Sequence, residues 1–341
     1  MNTSIQKLLP APLVAALFLG APFLGHAAER EGGDGNGVPN EAAAAAAADE
    51  PEGEAYEIVL RRPMFVGMRF REITTARYEQ SQVHWQGGSR NETESDSWSI
   101  FLDCSQKVLE TTPDGSPKAY RLEFARLERT RNGETEKLLP ENTTIMAARP
   151  GRESIFTRNG RPVGEELTSI LDDLFGMSSE DRAVSSDQVF GSEIKRRIGE
   201  RWPVNERHAM AWFDDVENMR INNLTGETTL LGVKEVDGEP CLDIGHTLSV
   251  RFMGNIVWRG GGERHFTHTM RLILPKDPEA MERGYQMTRR IRESLPMGGL
   301  DNESIDIIID STYDTEIIPL PPAPDAELPA GDQRDDGDDE A

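Results

Sequence analysis

From Leu242 to Phe252 the chain alternates without a break. Leu242, Ile244, His246, Leu248, Val250 and Phe252 fall on one phase, and Asp243, Gly245, Thr247, Ser249 and Arg251 on the other. A period of two sustained over that length is a strand with one buried face, and it excludes an all-helical fold for this stretch. After "RGGGE" the alternation resumes, with Phe266, His268, Met270, Leu272 and Leu274 in phase. Folding the two segments about Gly261 sets Ile256 against Phe266, Phe252 against Met270 and Val250 against Leu272. Every pair is apolar, as a correct register requires.

Two dipeptides predict tighter hairpins, because Asp-Gly and Asn-Gly supply the positive φ angles of a two-residue turn. Asp237-Gly238 pairs Val233 with Leu242 and Leu231 with Ile244. Asn132-Gly133 pairs Arg131 with Glu134, Arg129 with Glu136 and Leu127 with Leu138. Further strands lie in "YEIVLRRPMFVGMRFREITTARYEQSQVHW" and "DSWSIFLDCSQKVLE", where Trp98, Ile100, Leu102 and Cys104 share a face. Helices are few. One runs from Glu165 to Phe175, with Leu167, Ile170, Leu171 and Leu174 as its apolar stripe and Glu165 and Glu166 in the first turn. A second is predicted from Pro278 to Leu295, with Asp277 as N-cap and Met281, Tyr285, Thr288, Ile291 and Leu295 as its stripe. The expected fold is mainly β (α+β): a long antiparallel meander forming a curved sheet or half-barrel, with a few short helices packed on it.

The ends of the chain read differently. "MNTSIQKLLPAPLVAALFLGAPFLGHAAE" has an early cation, Lys7, then an apolar run and small residues at Gly25 and Ala27. That layout predicts a secretory signal peptide over residues 1–28. Residues 29–54 are a Gly, Ala and acidic linker, and 321–341 a Pro-rich acidic tail; neither has the apolar variety to build a core. One β-rich domain is expected over 55–320. The expected location is the periplasm, the cell envelope or the exterior, with no membrane span in the mature chain. A net charge of −23 argues against nucleic acid, whose phosphates need clustered cations. Protein partners are left open.

Signatures of chemistry are missing. The sequence has no H-E-x-x-H, no paired C-x-x-C, no G-x-S-x-G elbow and no phosphate-binding glycine loop ahead of a helix. In the acidic tail, an EF-hand alignment on Gly337 puts Arg334 where an oxygen ligand belongs. His265 and His268 are three apart, which on a strand points them to opposite faces. In the Gly261 register, His246 and His268 stand roughly 26 Å apart, so no histidine pair is expected. On the Glu165–Phe175 helix, Glu166 and Asp173 lie about 10 Å apart along the axis, too wide for a glycosidase pair. All four carboxylates there, Glu165, Glu166, Asp172 and Asp173, are read as the solvated side. Arg289, Arg290 and Arg292 are read likewise, as a solvated helix face. Cys104 and Cys241, the 2 cysteines, are a candidate disulfide in an oxidising compartment, although Cys241 sits on a polar phase. No catalytic residue, metal ligand or cofactor site is assigned, and a non-enzyme is expected.

"TRNGRPVGEELTSILDDLF", "RRIGERWPVN" and "TTLLGVKEVDGEPCLDI" occur in this order. The order resembles that of exported bacterial proteins of domain-of-unknown-function type, with an R-x-G-[KR] hairpin, a short helix, a G-[DE]-x-W loop and a D-G hairpin. The matching positions are Arg158, Gly160 and Arg161, then Gly199, Glu200 and Trp202, then Asp237 and Gly238. The resemblance implies a β-rich envelope or secreted protein and brings no activity. At fold level the one-sided strands also resemble the half-barrels of bacterial lipoprotein carriers, which implies an apolar ligand such as a lipid on the concave face. Its candidate contacts are Leu242, Ile244, Leu248, Val250, Phe252, Phe266, Met270 and Leu272. A closed-core envelope interaction protein is the alternative, and a hydrolase with an unrecognised site the third.

Overall fold

The computed structural model describes residues 53–87, 89–113, 115–150, 154–175, 184–211, 213, 219–254, 262–296 and 303–322. The predicted signal peptide, nearly all of the linker and nearly all of the tail lie outside the described residues.

The chain starts with β1 (Ala55–Tyr56), then lays down β2 (Arg69–Gln86), β3 (Ser89–Thr111) and β4 (Pro117–Arg131). Shorter strands follow: β5 (Glu134–Lys137), β6 (Thr143–Ala148), β7 (Ile155–Arg158) and β8 (Arg161–Pro162). A helical section holds α1 (Glu165–Phe175), α2 (Ser186–Phe190), β9 (Arg196–Arg197), β10 (Arg201–Pro203) and α3 (Glu206–Ala211). Five long strands end the fold: β11 (Met219–Val236), β12 (Glu239–Gly254), β13 (Gly262–Pro275), β14 (Gly284–Pro296) and β15 (Glu303–Pro319). All but β1 and β9, which pair with each other, form one antiparallel sheet of 13 strands in the order β10-β11-β12-β13-β14-β15-β2-β3-β4-β6-β7-β8, with β5 beside β4. The sheet is curved and unclosed, as the expected half-barrel class requires.

Pairing between β15 and β2 joins the two ends of the chain, from Glu303↔Gln86 to Pro319↔Phe70. Turn chemistry sets the local hairpins. Asn132-Gly133, Asn159-Gly160 and Asp237-Gly238 all have both residues at positive φ, the geometry that matches strand twist. The Asn132-Gly133 register is as expected, with Arg131↔Glu134 and Arg129↔Glu136, and Leu138 N–H donating to the Leu127 carbonyl at 2.9 Å. At Asp237-Gly238, Val233↔Leu242 holds, but a bulge between Leu230 and Gly232 makes Leu230, not Leu231, the partner of Ile244. Leu231 is thereby turned outward and is 47% exposed.

Two expectations are corrected. The segment 278–295 is not a helix; it is a turn followed by β14. Asp277 caps only the turn, accepting from the Glu279 N–H at 3.0 Å. Pairing on both sides, with β13 and β15, outweighs the local cap. The hairpin β12–β13 is centred six residues away from the Gly261 register in summed numbering: Val250 faces Phe266, and Gly254 faces Gly262. Both registers keep the same residues on the same face, so the apolar matching could not tell them apart. The hairpin tip and Ile256 lie outside the described residues.

The core face is covered by the helical section and by the segment 57–68. Leu171, Leu174 and Phe175 of α1 are buried, and Phe175 meets Phe124 edge-on at 6.0 Å between ring centroids. Ser185 and Gln188 form a reciprocal cap on α2. Asp187 of α2 accepts from the backbone N–H groups of Leu60 (2.6 Å) and Arg61 (3.3 Å), which ties segment 57–68 to the cover. Trp202 donates its indole N–H to the Phe190 carbonyl at 2.8 Å.

Cys104 and Cys241 are both buried free thiols. Cys241, placed on a polar phase from the sequence, is in fact fully buried. Burial pushes both thiols above their ordinary pKa and suppresses thiolate chemistry. A thiol reagent should therefore label neither cysteine in the native protein and both in denaturant. Labelling of neither in non-reducing denaturant would show a bridge.

Candidate functional site

The eight expected apolar-face contacts, Leu242, Ile244, Leu248, Val250, Phe252, Phe266, Met270 and Leu272, are all on the core face and at most 6% exposed. They are packed rather than open. Phe213 stands edge-on to Phe252 and Phe266, at 5.4 and 5.9 Å between centroids. Phe190 stacks on His246 at 3.9 Å.

Sequence spacing did not bring His246 and His268 together, but the true register does. Their Nε2 atoms are 3.4 Å apart, because His246 faces Met270 and Leu248 faces His268. His265 points to the other face and meets Ser249 Oγ at 2.9 Å, as the strand period requires. Burial lowers the His246 pKa to about 3. His268 is held well below its ordinary value by burial, then by His246 and Arg289. Among the described residues no third histidine, cysteine or carboxylate joins them in a metal-binding group.

A row of side chains crosses the core face here. Tyr78 on β2 faces Ser311 on β15, Ser311 faces Arg289 on β14, and Arg289 faces His268 on β13. Over this row sits Asp173 of α1, contrary to its expected solvated place. Its carboxylate accepts from the Tyr313 hydroxyl at 3.0 and 2.8 Å and from the Tyr78 hydroxyl. The Arg289 guanidinium is 3.8 Å from Asp173 Oδ1 and lies over the Tyr313 ring. The Asp173 side chain is only 13% exposed. Burial, then neighbouring charge, raises both phenols, so they remain donors. Glu165 and Glu166 do stay exposed, with Glu166 paired to Arg129 at 2.6 Å, whereas Asp172 is half-buried with Oδ1 out of contact with water. Arg290 and Arg292 pair with Asp310 and Asp306, both at 2.7 Å. The expected cationic helix face is therefore split by the strand into one inward and two outward arginines.

A second polar group lies nearer the Phe70 end of β2. Glu72 accepts from Thr74 (2.9 Å) and Gln106. Burial raises its pKa to about 7 against those two hydrogen bonds. Glu282 is raised to about 7 by burial and then by Glu72, with Arg62 opposing. Cys104, Tyr120 and Tyr285 feel the charge of Glu72 as well.

Beyond the row of Tyr78 and Arg289, the core face runs on along β15, where the β2 neighbours of Ile309, Ile307 and Ile305 are Gln80, Gln82 and His84. Ile309 faces Ile291, Ile307 faces Glu293, and Ile305 faces Leu295. Ile291 packs on the core. Leu295, Ile305, Ile307 and Ile309 are half-buried and outside that cluster. Glu293 is neutralised by Arg264 at 3.1 Å, and both are buried.

No protein-family model matches the chain, and no curated protein matches it. The resemblance to exported proteins of domain-of-unknown-function type is therefore not confirmed. Among solved structures, the chain is similar to lipovitellin, from a study of its lipid–protein interactions, at 8% identity and a TM-score of 0.32. That likeness covers 77% of this chain and 26% of the other, so the chain spans about a quarter of lipovitellin's length. It is also similar to OpdQ of Pseudomonas aeruginosa, at 10% identity and a TM-score of 0.21, over 74% of this chain and 98% of that one. A third likeness is to OccK2 of the same organism, solved with glucuronate, at 7% identity and a TM-score of 0.20 over 76% and 98%. No helix among the described residues is long and apolar enough to cross a membrane.

The buried ionisable groups set opposing pH dependences. Folded Glu72 and Glu282 keep their protons up to about pH 7, whereas unfolded carboxyls lose them near 4.5, so stability falls as pH rises through that window. Unfolded imidazoles gain protons below 6.5, whereas folded His246 does not until about 3, so stability falls on acidification. Between 4.5 and 6.5 the slopes oppose one another; below 4.5 the histidines and the lowered carboxyl of Asp306 act in the same direction, and stability falls with pH. Glu72→Gln should raise the unfolding free energy in urea by on the order of 2–3 kcal/mol at pH 8 and by little at pH 4.5. An equal effect at both pH values would contradict the assignment.

Proposed function

We propose that the protein is a non-catalytic binder of an apolar ligand. The ligand would lie along the half-buried end of the core face that holds Ile305 and Ile309, rather than on the eight residues expected from the sequence. The observation that carries this reading is the strip Leu295, Ile305, Ile307 and Ile309, aliphatic, half-buried and outside the packed core. Covering such side chains stabilises by roughly 25 cal/mol per Å² of apolar surface removed from water, so four of them can hold a flexible chain. The eight expected residues cannot serve unless the helices that pack on them leave. Mass spectrometry of protein purified gently from its own host should find a co-purifying lipid or other apolar molecule. Ile307→Glu should abolish that co-purification without lowering the thermal midpoint, and retention of the ligand by this variant would sink the reading.

The second reading, an envelope interaction protein with a closed core, is favoured by the filling of the face by α1, α2, α3 and segment 57–68. It predicts no co-purifying ligand and no effect of Ile307→Glu beyond the surface.

A further inference from the structure

We infer that Tyr78, Tyr313 and Arg289 form a carboxylate-binding site that Asp173 occupies in this structure, and that the ligand of the apolar strip is a long-chain fatty acid. The inference rests on the apolar-ligand reading and names its chemistry. Two phenol hydroxyls and a guanidinium converge on one carboxylate, with the Tyr313 hydroxyl donating at 2.8 Å and the Arg289 guanidinium 3.8 Å away, at ion-pair rather than hydrogen-bond distance. That set of donors suits an anionic carboxylate head, and a charged, hydrogen-bonded partner is the stronger kind.

The tail's path follows from the register. Along β15 the core face reads Tyr313, Ser311, Ile309, Ile307, Ile305. The first aliphatic side chain is four residues from Tyr313, about 14 Å along the strand, and the last is eight residues away, about 27 Å. Ile291 and Leu295 flank the same path on β14. A polar head site thus opens onto a straight aliphatic track with one buried ion pair, Arg264–Glu293, beside it.

Asp173 is an internal competitor for the head site. Leu171, Leu174 and Phe175 anchor α1 independently of it, so rotation of its carboxylate leaves the helix's own packing in place. A tethered group competes at an effective concentration in the millimolar range, and its removal should sharpen fatty-acid affinity.

The test uses the full chain and cis-parinaric acid as a fluorescent probe, displaced by oleate or by oleyl alcohol, which shares the tail and lacks the carboxylate. Asp173→Ala should tighten oleate by about tenfold or more, on the scale of that tethered competition, and leave oleyl alcohol unchanged. Tyr313→Phe should weaken oleate and leave oleyl alcohol unchanged, and it keeps the test open if Asp173→Ala fails to fold. Equal binding of oleate and oleyl alcohol in every variant would overturn the head site while leaving the apolar strip standing. Failure of the probe to bind any variant would overturn the apolar-ligand reading as well.

Discussion

The pairing of β15 with β2 is the constraint on which the rest of the structure depends. It joins strands near opposite ends of the folded chain over their whole length. Without it, the β2–β4 hairpins and the β11–β14 meander would be two sheets with four edges, each an aggregation hazard. With it, Tyr78 and Tyr313 come within reach of one carboxylate, and Thr74 meets Thr315 at 2.9 Å. The Asp173 cluster and Glu72 lie on or next to this seam, whereas His268 and His246 lie two and three strands away from β15.

The seam also explains why so many charged residues tolerate the core face. An isolated buried charge is costly, and a buried charge whose partner is removed is costlier still. Asp173 has two phenols and Arg289, and Glu293 has Arg264, while Glu72 keeps its proton up to about pH 7 and has Thr74 and Gln106 beside it. The aliphatic strip beyond them has no such answer within the core.

Much of the architecture was legible in the sequence, and the failures share a cause. The Asn132-Gly133 hairpin was readable to the residue, because a two-residue turn leaves no freedom in register. The β12–β13 hairpin has a long connection, and two alternating strands match equally well at every even shift. Parity therefore hid a displacement that separates His246 from His268 by eight residues, roughly 26 Å, or sets them in contact. β14 was misread because Arg289 and Glu293 interrupt its apolar phase, leaving Tyr285, Ile291 and Leu295 at spacings that mimic a helix. The partners that make those inward charges tolerable, Asp173 and Arg264, are distant in sequence. Asp173 itself lies beside the apolar stripe of α1, and only the approach of two tyrosines from strands remote in sequence turns it inward.

The central claim is that a carboxylate head and an apolar tail share one continuous track on the core face. A crystal structure determined with oleate bound tests it most directly. The account predicts the oleate carboxylate within hydrogen-bonding distance of the Tyr313 hydroxyl, Asp173 turned away, and the tail passing Ile309, Ile307 and Ile305. Oleate bound elsewhere, or bound on the strip with Asp173 still held by both phenols, would contradict it.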